Sequence, residues 1–316
     1  MKCRVCGQTA TISLRAYNTA LCADDFITFL EKRVRTTIEK YHLIGDEDRP
    51  IVAISGGKDS LSLWYMMNRL GYAADGIYVD LGIENYSDPS LDRIRAVADL
   101  LKRKVYVFPF RHVFNKGIEE LARIIRRAPC SACGMIKRYI MNRVCMDKGY
   151  NTLVTGHNLD DEAAALFGNI LYWKEEYLWK KNVVLEGIDG HLSRKVKPLF
   201  LCSEREMAAY AIINNIDYIY EECPFSVKAK SLTYKAMLNK LEERSPGTKL
   251  QFIKGYLKMV NEGERKEGGF CAICGYPANG GMCNFCRMLE KFHIETDVSF
   301  EEYAPSGSET MNVVVT

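Results

Sequence analysis

Ile51-Val52-Ala53-Ile54-Ser55-Gly56-Gly57-Lys58-Asp59-Ser60-Leu61-Ser62-Leu63-Trp64 decides the fold. Its first four residues are apolar and rich in β-branched side chains, which reads as a buried strand. The run then enters a glycine pair and resumes as an apolar pattern at helical spacing. Gly56 and Gly57 let the backbone turn tightly and come close to a ligand. Backbone N–H groups in a loop that feeds a helix N-terminus, with the helix dipole behind them, make an anion site. Ser55, Lys58 and Ser60 add donors to the same concavity, so the stretch predicts a phosphate cradle. It is not a Walker loop, which needs glycine at position 52 and Ser or Thr at position 59; those positions hold Val52 and Asp59.

Ser55-Gly56-Gly57-Lys58-Asp59-Ser60 is similar to the Ser-Gly-Gly-x-Asp-Ser loop of the N-type ATP pyrophosphatases, which cleave ATP between its α and β phosphates. A ligand-free glycine turn is the competing reading. It is disfavoured because all five specified positions of the six-residue motif agree in a strand–loop–helix context.

A chain of 316 residues holds one large α/β core with small attachments. Apolar content of 47% and charged content of 26% are those of a globular protein, and a net charge of +3 requires any basic surface to be local. No apolar run approaches the roughly 20 residues of a membrane span. The start, Met1-Lys2-Cys3-Arg4-Val5-Cys6, lacks a signal-peptide core, so a cytoplasmic location without membrane attachment is expected. Twelve cysteines in a reducing compartment then point to metal rather than disulfides.

Cys3, Cys6 and Cys22 fit a structural zinc site, two thiolates on a knuckle and a returning third. No further Cys or His stands nearby, and Asp25, three residues after Cys22, is the expected fourth ligand. A reduced Cys pair packed as small apolar side chains is the alternative. Phe26, Leu30, Val34, Ile38 and Tyr41 then mark a linking helix from Asp25 to about His42. Strands are expected at Ala74–Asp80, Val105–Phe108 and Asn151–Thr155. A loop is expected at Leu81–Pro89, followed by a helix at Leu91–Lys102. Alternating strands and helices predict an α/β fold with a doubly wound parallel sheet. Ligands in such sheets bind at the carboxyl ends of the strands. There the phosphate loop, Tyr78-Val79-Asp80 and Gly156-His157-Asn158-Leu159-Asp160-Asp161 would converge. Asp161 is positioned to hold magnesium on the phosphates or to orient the attacking group.

Pro129-Cys130-Ser131-Ala132-Cys133-Gly134 carries a second Cys pair without a matching pair nearby. Cys145 lies in an amphipathic pattern and Cys202 follows an apolar run, so both read as packing thiols. Cys223, before Pro224, remains. Cys130, Cys133 and Cys223 suit an iron–sulfur cluster with one open iron, an incomplete zinc site, or a redox pair with a spare thiol. Trp173-Lys174-Glu175-Glu176-Tyr177-Leu178-Trp179-Lys180-Lys181 fits an RNA-stacking surface and an amphipathic helix face equally well. Lys228-Ala229-Lys230-Ser231 and Arg123 to Arg127 flank the cysteines and are candidates for phosphate contact. Near the end, Cys271, Cys274, Cys283 and Cys286 form a four-thiolate zinc ribbon. The expected division is a zinc knuckle (1–25), a catalytic domain with its linking helix and cysteine site (26–265), the ribbon (266–303, opening on a linker at Lys266 to Gly269) and a tail (304–316).

Taken in order, these motifs and Glu222-Cys223-Pro224 resemble the tRNA 2-thiolation enzymes over nearly the whole chain. Within them the chain is most similar to the branch acting on the T-loop 5-methyluridine (TtuA-type); related branches act on anticodon-loop uridine or cytidine. One departure is Asp25, where the family usually has His. The resemblance implies that ATP with Mg2+ adenylates the C2 oxygen of a tRNA uridine, and that sulfur held on a 4Fe–4S cluster displaces AMP. It implies cluster ligation by Cys130, Cys133 and Cys223, and catalytic roles for Asp59, Lys137 and Asp161. It further implies a nucleotide site built from Ala53, Ser55, Gly56, Gly57, Lys58, Asp59, Ser60, Tyr78, Lys137, Gly156 and Asp161. Two structural zinc ions, a ubiquitin-like sulfur carrier with a C-terminal thiocarboxylate, and a homodimer also follow from it. An ATP-dependent ligase that shares the phosphate loop is the alternative enzyme. An RNA-binding or redox-sensing zinc protein is the non-enzyme alternative.

Overall fold

The strand that leads into the phosphate loop lies in the middle of a seven-stranded sheet and is almost wholly buried, as its β-branched run requires. The structure, a computed structural model, describes residues 1–174, 177–178, 182–226, 230–260, 269–278, 280–293 and 300–305. An N-terminal hairpin, β1 (Ile12–Leu14) and β2 (Thr19–Leu21), precedes helix α1 (Ala23–Lys40). Helix α1 buries Phe26, Leu30, Val34 and Ile38, and Asp25 lies in its first turn. The core then runs β3 (Pro50–Ile54), α2 (Lys58–Arg69), β4 (Asp75–Asp80), α3 (Ser87–Leu101) and β5 (Val105–Pro109). Short helices α4 (Phe110–Phe114) and α5 (Ile118–Ile124) lead to the long α6 (Pro129–Lys148), then β6 (Thr152–Thr155) and α7 (Leu159–Leu171). The remaining elements are β7 (Val184–Leu185), β8 (Arg194–Val196), α8 (Glu204–Ile213), α9 (Lys230–Arg244), α10 (Thr248–Val260), α11 (Asn284–Phe292) and β9 (Glu301–Tyr303).

The strand order is β7-β8-β6-β3-β4-β5-β9. The five inner strands are parallel and the two edges are antiparallel. The chain winds outward from β3 to β5 and then returns to place β6 on the other side of β3. This reversal between β3 and β6 opens a crevice at their carboxyl ends, where doubly wound sheets bind ligands. The phosphate loop leaves β3 there, and Gly156 to Asp161 leave β6 beside it. One face of the sheet is covered by α1, α2, α7 and α8 around Phe26, Trp64, Leu166 and Tyr210. The other is covered by α6 and the C-terminal cysteine module around Phe108, Ile136, Tyr139 and Phe285, with Tyr139 and Phe285 stacked at 3.6 Å.

Helix α3 starts at Ser87, four residues before the expected Leu91, and takes in part of the expected loop Leu81–Pro89. Pro89 is tolerated because the first turn of a helix has no use for its N–H. Strands β7 and β8 were not expected, nor was β9, which falls inside the range assigned to the ribbon. Glu301-Glu302-Tyr303 pairs with β5, and Lys104 meets Glu302 at 2.6 Å. Residues 175–176, 179–181, 227–229, 266–268 and 306–316 lie outside the described residues. They include parts of the aromatic–charged stretch, the lysine run after Cys223, the expected linker and the tail.

Candidate active site

The loop from β3 to α2 is shaped by its own serines. The Ser55 N–H donates to Ser60 Oγ at 3.1 Å, and Ser60 Oγ donates to the Gly57 carbonyl at 3.1 Å. Gly56 has φ +80°, and a Cβ there would fall 2.7 Å from the Ser90 Cβ of α3. At Gly156 a Cβ would meet the Ser60 Cα at 3.0 Å. Both glycines therefore allow backbone approaches that a side chain would fill. Helix α2 starts at Gly57 without a side-chain cap, which leaves its first N–H groups facing the crevice. The Ile219 N–H fixes the Gly56 carbonyl at 2.9 Å. An uncapped helix start in a glycine cradle fits a polyphosphate.

Around the loop, carboxylates and lysines alternate. Lys58 Nζ lies 2.8 Å from Glu204 and 3.2 Å from Asp59. Lys235 Nζ lies 2.6 Å from Asp161 and 3.2 Å from Glu204. Burial, then the nearby Asp161 and Glu204, push the Asp59 carboxyl up, against the pull of Lys58. The Asp59 Oδ1 is buried and has no hydrogen-bond partner among the described residues. Such an orphaned acceptor beside two further carboxylates fits a hard divalent cation. Asp161 also closes a capping box with Asn158 at the start of α7. Its neighbour Asp160 is buried in an ion pair with Lys249 and accepts the Glu204 N–H at 2.8 Å. Asp160 therefore supports the start of α8, whereas Asp161 pairs with Lys235 and is close enough to act on the Asp59 carboxyl. Ala53 lies half-buried on β3 below the loop, and the buried Tyr78 donates its hydroxyl to the Ser87 carbonyl at 3.2 Å. The Tyr78 hydroxyl is thus engaged within the fold.

Cys130 and Cys133 occupy the first turns of α6, with Pro129 at its start and Lys137 one turn beyond Cys133. The exposed Cys130 thiol donates to the Phe225 carbonyl at 3.1 Å, which ties the segment carrying Cys223 to α6. Burial and then the neighbouring Cys223 push the Cys130 thiol up, and Lys137 pulls it down. At Cys133 burial also dominates, with Lys137 opposing it ahead of Cys223 and Cys130. The three thiols and Lys137 thus share one mouth. Tyr86, its hydroxyl raised by burial and then by Cys223 and Cys133, borders it as well. Among the described residues, the sets whose ligand atoms all lie within 4.8 Å are the two terminal ones, and this trio is not among them. Three soft thiolates set wider than a single ion requires fit a multi-iron cluster. Cys145 and Cys202 are fully enclosed, and burial pushes the Cys145 thiol up to about 12.

Beside the trio, Lys195 of β8 and Lys197 just after it lie near Arg138 and His157. Lys197 pairs with Glu162 at 3.0 Å. Burial, then Lys197 and Arg138, pull the Lys195 amine down to about 8. His157, held by Thr155 Oγ1 at 3.0 Å, is lowered to about 4 by the enclosing cleft and then by Lys195.

At the N-terminal module, Cys3, Cys6, Cys22 and Asp25 come together, with Asp25 Oδ2 3.0 Å from the Cys3 thiol and 3.1 Å from that of Cys22. At the C-terminal module, Cys271, Cys274, Cys283 and Cys286 converge, and the Cys286 N–H donates to the Cys283 sulfur at 3.3 Å. Both donor sets suit a tetrahedral metal.

Sequence reasoning missed Glu204, Lys235 and Tyr86. Ser203-Glu204-Arg205-Glu206 carries the capping-box spacing, and Ser203 and Glu206 form that box. That signal would have put Glu204 at a helix start. Lys235 and Tyr86 have no local signal and arrive by packing alone.

The model of the PP-loop domain matches residues 28–227, and that of the 2-thiouridine synthetase TtuA N-terminal LIM domain matches residues 2–27. A tRNA-5-methyluridine(54) 2-sulfurtransferase of Thermus thermophilus is 42% identical, over 92% of this chain and 91% of the relative. One from Pyrococcus horikoshii is 40% identical over 97% of this chain and 100% of the relative. The U34-tRNA thiolase NcsA from Methanococcus maripaludis, solved with its [4Fe-4S] cluster, superposes with a TM-score of 0.80 at 27% identity, over 92% of this chain and 96% of that one. Glycine cradle, cysteine trio and terminal metal modules stand in a chain that belongs to the tRNA-5-methyluridine(54) 2-sulfurtransferase family of PP-loop proteins.

Proposed function

We propose that the chain is an ATP-dependent tRNA 2-thiolation enzyme whose target is the T-loop 5-methyluridine. The observation that supports this reading is that one segment touches both an uncapped phosphate cradle and the cysteines: the Ile219 N–H holds the Gly56 carbonyl, and six residues on the Phe225 carbonyl accepts from the Cys130 thiol. The first N–H groups of α2 hold the β and γ phosphates, and Asp59, Asp161 and Glu204 supply the oxygens for Mg2+. The uridine O2 attacks the α-phosphorus of ATP, the bond to the β-phosphate oxygen breaks, and pyrophosphate leaves. The N3 proton is lost, so the base is activated as an O2-adenylate. Lys137 offsets charge that develops on the α-phosphate. Attack of sulfur at C2 then expels AMP, and N3 regains its proton as the thiocarbonyl forms. Held by Cys130, Cys133 and Cys223, a 4Fe–4S cluster would supply an iron without a protein thiolate, at which sulfur is kept nucleophilic.

The terminal sets would hold structural zinc, with Asp25 as the fourth ligand of the first. Family likeness adds a ubiquitin-like sulfur donor, a homodimer and a cytoplasmic setting. Among the described residues no helix is long and apolar enough to cross a membrane. The reading is tested with transcripts carrying cytidine at tRNA position 54 or at the anticodon wobble position. AMP release and thiolation that fail only with the position-54 change support it. Failure only with the wobble change overturns the T-loop assignment.

A further inference from the structure

Helix α7 starts at the site, where Asp161 meets Lys235, and its far end carries a surface the proposed chemistry leaves unused. Helix α9 runs back along it: Phe167 and Tyr234 meet edge to face at 5.8 Å, and a Cβ on Gly168 would lie 2.7 Å from the Tyr234 ring. Lys230 Nζ, at the start of α9, donates to the Tyr172 hydroxyl at 3.2 Å and stands 5.1 Å from its ring centre. Lys174 Nζ is 5.6 Å from the same ring and 5.8 Å from that of Tyr177. Among the described residues neither lysine has a carboxylate partner.

Tyr172 is 56% and Trp173 76% exposed, and Leu171 beside them is exposed too. Trp173 has φ +45°, in the left-handed region that usually takes glycine or asparagine after a helix end. A bulky indole held outward in that conformation covers no core. Exposed aromatic faces interleaved with cations are what single-stranded RNA needs, rings for its bases and charge for its phosphates. The eleven residue steps from Asp161 to Tyr172 span about 16 Å along α7, which keeps this surface within reach of nucleotides beside one bound at the crevice.

We propose that Tyr172, Trp173, Lys174 and Lys230 form a stacking platform that holds unpaired tRNA bases next to the target nucleotide. This rests on the tRNA-thiolation reading. Stacking on the two rings fixes the loop while its phosphates are neutralised by the two lysines. A second copy of this chain is the rival occupant.

The test measures tRNA affinity, the KM values for tRNA and ATP, and oligomeric state for the holoenzyme. The variants are Tyr172→Ala with Trp173→Ala, the conservative Trp173→Phe, and Lys174→Ala with Lys230→Ala. The aromatic pair should weaken tRNA binding about 10- to 100-fold, as expected for lost base stacking. ATP KM and the melting profile should stay unchanged, and Trp173→Phe should retain binding. The lysine pair should lower the salt dependence of binding by about two units of slope at most. Wild-type tRNA affinity and KM in the aromatic variant would overturn the platform while leaving thiolation standing. Loss of oligomerisation at unchanged tRNA affinity would also overturn it, in favour of the second copy. Wild-type protein that binds no tRNA would overturn the thiolation reading along with the platform.

Discussion

Gly156, at the end of β6, lies against the backbone of Ser60 in the first turn of α2. A Cβ on it would stand 3.0 Å from the Ser60 Cα and 3.1 Å from the Ser60 nitrogen. The crevice floor is therefore the meeting of two backbones, and its width sets where a phosphate can sit. Gly156→Ala must displace the phosphate loop, since a helix start cannot yield as a flexible side chain does. ATP-dependent AMP formation should fall at least about tenfold, while unfolding free energy changes by about 1 kcal/mol. Unaltered ATP kinetics in this variant would show that the contact does not position the nucleotide.

Asp59 supports a second prediction. Its Oδ1 is buried without a hydrogen-bond partner and Asp161 lies near enough to push its carboxyl up, while Lys58 keeps Glu204 as a partner if Asp59 is neutralised. Asp59→Asn should thus fold normally but need at least about tenfold more Mg2+ for half-maximal AMP formation. A magnesium titration that overlays the wild-type curve would remove Asp59 from the metal site.

The N-terminal module tests Asp25 directly. Its Oδ2 lies within 3.1 Å of two cysteine thiols and its carboxyl is held below the usual range, first by the Cys6 thiol. Asp25→Ala should weaken zinc retention against a chelator at least about tenfold, with the C-terminal module unaffected. Cys274→Ser should do the reverse, releasing about one zinc and loosening α11, because metal binding supplies the folding free energy of so small a module. Two zinc ions retained equally in both variants would contradict the assignment.

Arg33 of α1 and Glu206 of α8 meet at 2.7 Å, their side chains 14% and 6% exposed. Arg33 Nε and Nη2 have no hydrogen-bond partner among the described residues, and the guanidinium otherwise rests on the Tyr17 and Phe29 rings. Removing Glu206 strands a buried guanidinium, so Glu206→Ala should cost about 3 kcal/mol in denaturant unfolding. Arg33→Met combined with Glu206→Leu should recover most of that loss. A single variant as stable as wild type would mean that solvent reaches Arg33.

The centre of the sheet was legible because Ile51 to Trp64 states strand, turn and helix in sequence, and the later strands repeat the alternation. The edges were not. Arg194-Lys195-Val196 has one apolar residue, and Glu301-Glu302-Tyr303 is polar enough to pass for a tail; both become strands only by pairing with a sheet already formed. The same division holds at the site. Cys130, Cys133, Asp59 and Asp161 stand in local patterns; the fold sets the two aspartates near one another at the crevice and brings the segment of Cys223 to the cysteine pair. Glu204, Lys235 and Tyr86 reach the site across long sequence separations, and no local pattern encodes that approach. Asp25 was chosen by elimination, and the fold places it on the first turn of α1, where its carboxylate meets the cysteines.

In the proposed mechanism sulfur reaches the base through a cluster held by Cys130, Cys133 and Cys223. The most direct test compares tRNA thiolation, by mass analysis of nucleosides, between rigorously iron-free protein and protein reconstituted anaerobically. Reconstituted protein should carry about four irons per chain, and thiolated nucleoside should form only then. Both iron and product should be lost in each of Cys130→Ala, Cys133→Ala and Cys223→Ala, while Cys145→Ala and Cys202→Ala keep both. Full thiolation by iron-free protein would contradict the mechanism and leave a persulfide relay among the cysteines in its place.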